Sequence, residues 1–335
     1  MQCRHPQVRR TSVLVCSGGW ALRDQRRTTI TGARYELEDA PLEPKPTGPL
    51  PLLIGASGQK RMAAIVAKYA DEWNTWSTPS LWKEKRVGFD RCSTASNHAN
   101  DLGLSGIDNT LNALDAAGLS HTGTARTAAE AVPHAFPVNG VQVAHMSYAR
   151  NSNTGFPRDA WRVRQAVTAT NVINDIATAR AGGAEVVIIS LHVYVEMQTG
   201  PTAADRALVN QIISQSHPNL IVIHGPHVLQ PVERVNGTLV FWSVGNLISG
   251  MGASGRGKYS DLRTLDGLLA TVRFTEQPDG SWVTEPWTVL LCNVTGSRKV
   301  YPGLTTLLDP SISSTLRAQL QACATRASAV VADLR

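Results

Sequence analysis

Asn97-His98, His192 and His224-Gly225-Pro226-His227 are the residues whose types could do chemistry together. Each follows a stretch that reads as a strand: about Arg91 to Ala95 before Asn97, Val186 to Leu191 before His192, and Leu220 to Ile223 before His224. Sites in open α/β sheets form outside the carboxyl ends of strands, so three segments would deliver imidazole or amide groups to one rim. Neutral imidazoles and amide oxygens are ligands for Zn, Mn or Fe. One such histidine alone would read as a hydrogen-bonded strand-end residue. Three segments at one topological position point to a metal site. His145, inside the expected strand Val141 to Tyr148, reads as a hydrogen-bonded sheet residue and not a ligand. His121, His134 and His217 fall near helix ends or in loops, and the sequence shows no partner for them.

The elements that must position these residues follow from apolar spacing. From Gly88 onward the pattern is regular α/β. Ser105 is expected to cap a helix carrying Leu111 and Leu114 and closed by Gly118. Val167 to Arg180 is expected to be helical with Val172, Ile173 and Ile176 inward, ended by Gly182-Gly183, and Pro201-Thr202 opens a further helix. Thr238 to Val244 and Leu268 to Phe274 add strands. Continuous apolar strands between helices signal a sheet covered on both faces.

Composition excludes other classes. The 335 residues are 42% hydrophobic and 17% charged, which is globular composition. No apolar run approaches the roughly 18 residues of a membrane span. Val13-Leu14-Val15-Cys16 is too short for a signal-peptide core, so the compartment is left open. The formal charge of +6 lies in residues 1–34, where seven arginines face only Asp24. Basic residues without aromatic interleaving read as a poorly ordered leader, not a nucleic-acid interface. The five cysteines are far apart and suggest neither a disulfide framework nor a CxxC metal motif. Asn236-Gly237-Thr238 and Asn293-Val294-Thr295 match the glycosylation sequon and are read as ordinary turns.

Several motifs resemble one family in order: Thr94-Ala95-Ser96-Asn97-His98-Ala99-Asn100-Asp101 with Gly103, Leu114-Asp115-Ala116-Ala117-Gly118, Ser190-Leu191-His192 with Glu196, His224 through Glu233, and Ser243-Val244-Gly245-Asn246. They look like the CapA family of bacterial capsule and poly-γ-glutamate synthesis. That family is similar to calcineurin-like metallophosphatases, β-sandwiches flanked by helices with a two-metal centre. The resemblance runs from about residue 88 to 335 and implies metal ligation by Asn97, His192, His224 and His227. It implies His98 as the acid or charge-stabilising group, with Asp101, Glu196 and Asn246 supporting the site or meeting substrate. Divalent ions (Mn, Fe or Zn) are the implied cofactors, and a cell-envelope polymer or phosphorylated small molecule the implied partner.

In that family a Gly-Asp strand end and an Asn-x-Glu segment precede the Asn-His motif. Here residues 21–86 instead resemble the late part of luciferase-like monooxygenases, through Gly32 to Leu37, Leu53 to Arg61 and Tyr69 to Asn74. Those are flavin- or deazaflavin-dependent TIM barrels, and the likeness would put Gly55 and Gly58 at a cofactor-phosphate turn. Such a barrel needs roughly 200 residues or more, so the piece cannot be an intact oxidoreductase. The sequence thus divides into a leader (1–34), a partial monooxygenase-like fragment (35–87) and a CapA-like domain (88–335) whose N-terminal strands are missing or replaced. The expected metal site is incomplete, with the later ligands and none of the early carboxylates. A non-catalytic binding or scaffold protein on the same fold is the second reading, and a flavin-dependent oxidoreductase the third.

Overall fold

The computed structural model describes strands at 28–31, 36–40, 53–55 and 72–74, and then residues 90–252, 257–294, 299–332 and 334. The chain divides into two units, Met1–Gly88 and Phe89–Arg335. In the first, β1 (Thr28–Thr31) pairs antiparallel with β2 (Glu36–Ala40), and β3 (Leu53–Gly55) pairs parallel with β4 (Glu72–Asn74). Thr28–Thr31 falls within the expected leader and forms a strand instead, in keeping with its run of β-branched residues. The rest of that leader and Gly58 lie outside the described residues. Gly55 ends β3.

The second unit is built on a six-stranded sheet. Its members are β7 (Phe136–Val138), β8 (Val141–Ala149), β9 (Val186–His192), β10 (Leu220–His224), β11 (Leu229–Val235) and β12 (Thr238–Val244), in the order β11-β12-β10-β9-β8-β7. The β8–β9, β9–β10 and β10–β12 pairs are parallel, the first two joined by helical crossovers and the third by way of β11, which turns back antiparallel onto β12. Helices α2 (Ala169–Ala181) and α3 (Ala203–Ser216) supply those two crossovers. They cover one face, burying Val172, Ile176, Val209 and Ile212 against Ile189, Leu191, Ile221 and Trp242. Period-two alternation turns Ile188, Leu220, Val222, Leu239 and Phe241 to the opposite face, where they pack on Ala270, Val272 and Phe274. Those three belong to β13 (Asp266–Glu276), which pairs antiparallel with β14 (Trp282–Val294), itself paired with β15 (Lys299–Pro302). Two sheets therefore pack face to face, and helices flank them: α5 (Ser314–Ser328), which follows the short helix α4 (Gly303–Leu307), packs through Leu320, Cys323 and Ala327 on Leu268, Leu290 and Cys292, on the same face of β13–β14 that meets the large sheet. This is the helix-flanked β-sandwich expected from sequence.

A third, smaller sheet carries the Asn-His segment. β5 (Arg91–Ser93) and β6 (Ser120–Thr122) pair parallel around α1 (Gly103–Ala116), whose Ile107, Leu111 and Leu114 pack on Val163. Ser105 does not cap this helix. Leu102 occupies the cap position without a side-chain bond, and the Ser105 hydroxyl donates back to the Leu102 carbonyl. The Thr202 cap of α3 does form, as a reciprocal box with Asp205.

Two further expectations are corrected. Cys292 and Cys323 form a disulfide across 31 residues, because α5 lies against β14; sequence spacing cannot show that approach. Asn236-Gly237 is a tight turn with positive φ at both residues, whereas Asn293 is a buried strand residue of β14.

Candidate functional site

Parity in the large sheet decides which side chains can meet. Ser190 and His192 on β9 and His224 on β10 share the face turned away from α2 and α3, and the strands pair in register at His224↔His192. His145 and Ser147 on β8 share that face, opposite Ile188 and Ser190. Both β9 and β10 end at their histidine, so the two imidazoles sit side by side at the carboxyl rim. Their Nδ1 atoms are 2.8 Å apart. The turn after β5 brings Asn97 to the same place, its Oδ1 2.9 Å from His192 Nε2.

Hydrogen-bond direction follows from the amides. Asn97 Nδ2 donates to Asn153 Oδ1 at 3.2 Å, which leaves Asn97 Oδ1 as acceptor. Assigned from this network, His192 donates from Nε2 and accepts at Nδ1 from His224 Nδ1–H. His224 Nε2 then carries a lone pair, and that atom is buried with no hydrogen-bond partner. Burial holds both rings neutral: the His192 pKa is pushed down to about 3 by desolvation, with His224, His227 and His98 adding to it, and that of His224 to about 4 by desolvation. The Tyr194 ring packs edge-on against His192, with the ring centroids 5.0 Å apart.

His227 is held separately. It adopts φ +65°, and its Nδ1 lies 3.1 Å from Asn246 Oδ1. Asn246 Nδ2 donates to the carbonyls of His227 and Thr264, so its oxygen faces the imidazole. In its neutral form His227 thus donates from Nδ1 and keeps a lone pair on Nε2. Gly225 permits the tight path between the two histidines: its φ is +124°, and a Cβ there would lie 2.4 Å from Tyr194 Cδ1.

His98 is exposed and is oriented by Asp101, with Nδ1 2.6 Å from Oδ2. Glu196 lies half-buried in the loop after β9. The structure thus brings Asn97, His192 and His224 into one hydrogen-bonded chain and pairs His98 with Asp101 and His227 with Asn246. His145 is the sheet residue expected of it, bonded to Ser190 Oγ at 2.8 Å. His121 has partners after all, Asp115 at 3.2 Å and Glu130 at 3.8 Å. Asn153 and Asn293 escaped sequence reading. Asn153 bridges towards both Asn97 and His98, and no spacing signal marks it. Asn293 accepts from Ser249 N and donates to the carbonyls of Leu247 and Leu265, pinning the chain that follows Asn246.

Two neutral imidazoles of the rim, His224 and His227, keep a lone pair at Nε2, the kind of donor an ion of intermediate softness takes. Among the described residues, no three His, Cys, Asp or Glu side chains come together as a group that could hold a metal.

The fold and this rim define a helix-flanked, two-sheet α/β protein with a histidine–asparagine site at the ends of parallel strands. Residues 71–251 match the family described as bacterial capsule synthesis protein PGA_cap, and the chain belongs to that family. The matched span opens at residue 71, ahead of the boundary expected near 88. The chain is similar to the PGA biosynthesis protein CapA of Bacillus subtilis (strain 168), 26% identical over 204 residues, covering 60% of this chain and 51% of that protein. It is also similar to the capsule biosynthesis protein CapA of Bacillus anthracis, 25% identical over 177 residues, covering 50% of this chain and 42% of that one. It therefore spans about half the length of these relatives. Among solved structures, the calcineurin-like phosphoesterase YfkN from Bacillus subtilis is similar at a TM-score of 0.40 and 15% identity, covering 75% of this chain and 74% of that one.

Proposed function

We propose that this chain takes part in capsule or poly-γ-glutamate metabolism through a hydrolase-type site of phosphoesterase character, loaded with a single divalent ion. The relatives described as PGA and capsule biosynthesis proteins support the setting. The observation that carries the site is the chain Asn97–His192–His224, which ends in the buried, unbonded lone pair of His224 Nε2. His224 and His227 would hold the ion, and Asn97 and His192 would join them by giving up their mutual hydrogen bond. A bound ion of this kind polarises an ester oxygen and lowers the pKa of water. His98, fixed by Asp101, would deliver a proton to the leaving oxygen from the exposed side of the rim. Asn246 and Asn153 would orient His227 and Asn97. Tyr194 would keep water from the inner imidazoles.

Equilibrium dialysis of the purified chain against Mn, Fe or Zn, with metal analysis, tests this. About one ion per chain is expected, with affinity falling at least tenfold in His224→Ala and His227→Ala. No bound ion, or binding indifferent to both changes, overturns it. Hydrolysis of a chromogenic phosphodiester by the loaded chain then tests the reaction class.

A second reading is a non-catalytic binding protein using the same rim. The absence of a three-residue metal set among the described residues favours it. Capsule-polymer binding that survives chelation would select this reading over the first.

A further inference from the structure

Away from the rim, β6, β8 and the segment after β6 enclose a cavity of about 240 Å³ whose wall includes Arg91, Arg126 and Arg164. Two of these arginines are neutralised. Arg126 is held by Asp115 at 2.6 Å and by Glu130, and Arg164 by Asp175. Arg91 meets no carboxylate among the described residues. One Nη donates to the His145 carbonyl at a long 3.4 Å, and the guanidinium lies over the Phe136 ring, 4.6 Å from its centroid. Its Nε is buried without a hydrogen-bond partner. A guanidinium carries five N–H donors, and a buried donor left unmade is costly.

We propose that this cavity is a binding site for a small oxyanion, a carboxylate or phosphate group, received by Arg91. Stacking on Phe136 fixes the plane of the guanidinium, so its fork is oriented before any ligand arrives. An oxyanion would satisfy Nε–H and supply the charge that no acid provides, and charge-assisted bonds of this kind are the strong ones. Burial already disfavours the Arg91 cation, lowering its pKa by desolvation, which an anion would offset. His121, Asp115 and Glu130 form a bonded set with Arg126 at the other wall and would set the size of what fits. The site shares no residue with Asn97, His192, His224 or His227, so it stands or falls independently of the metal reading.

Titration calorimetry on the full chain, stripped of divalent ions by chelation and dialysis, tests the proposal with sodium phosphate and with sodium acetate, each against sodium chloride at equal ionic strength. One saturable site for at least one of the two is expected, and the better anion identifies the group. Arg91→Gln should bind at least tenfold more weakly. Arg273→Gln, at an exposed arginine beside Glu285, should bind as the parent does. No saturable binding of either anion, or unchanged binding in Arg91→Gln, overturns the site. If Arg91→Gln fails to fold, Arg91→Lys decides: a loss of threefold or more, from the missing fork, supports the site, and unchanged binding overturns it.

Discussion

His192 and His224 stand opposite one another at the ends of adjacent parallel strands, with their Nδ1 atoms 2.8 Å apart. One hydrogen between them means that the pair is stable only while at least one ring is neutral. Their joint placement links the fold to the candidate chemistry, because sheet register alone sets it.

Stability should therefore fall in mild acid. Folded His192 titrates at about 3, and His224 and buried His145 at about 4, chiefly through desolvation, against about 6.5 for a free imidazole. Below pH 6.5 the unfolded chain binds protons that the folded chain does not. The contribution is thus complete above that pH and is lost as pH falls towards 3. Each imidazole adds a slope of at most about 1.4 kcal/mol per pH unit. Urea unfolding of metal-free protein between pH 7 and 5, where most carboxylates stay ionised, should show this decline. A flat profile would refute it.

Asn293→Ala should loosen the chain that follows Asn246, since one buried side chain serves Ser249, Leu247 and Leu265. A loss of about 1–3 kcal/mol is expected from the groups left unpaired. Hydrogen exchange should quicken at Ser249, whose amide loses its acceptor. Unchanged exchange there would remove the positioning role.

Gly225→Ala adds a Cβ where Tyr194 already stands, at a φ that L residues rarely adopt. The expected cost is about 1–3 kcal/mol from backbone strain, plus the clash. Adding Tyr194→Ala relieves only the clash, so the double variant should be less destabilised than the two single changes combined. Strict additivity in thermal melts would show that the contact is not felt.

Opening the Cys292–Cys323 disulfide frees α5 from β14. A loop of this length corresponds to about 3–4 kcal/mol in the chain-entropy account. Thermal melts of Cys292→Ser/Cys323→Ser against the parent measure it, and an unchanged melting temperature would mean that packing of Leu320 and Ala327 holds the helix unaided.

The sequence by itself determined the α/β class and the strands ending at His192 and His224, because apolar runs and cap residues are local signals. Val186–His192 and Thr238–Val244 lie where their apolar residues put them. The same locality let Asn97, His192 and His224 be read as one rim, since each follows a strand. Only the tertiary structure decided how those residues face one another. Asn97 Oδ1 and His192 Nε2 satisfy each other across 95 residues, and Asn293 reaches a distant segment from a second sheet. Likewise, Cys292 meets Cys323 only because a helix packs on that sheet. Parity along one strand is written in its order of residues. Register between strands, and the approach of one layer to another, come from the packing of the whole chain.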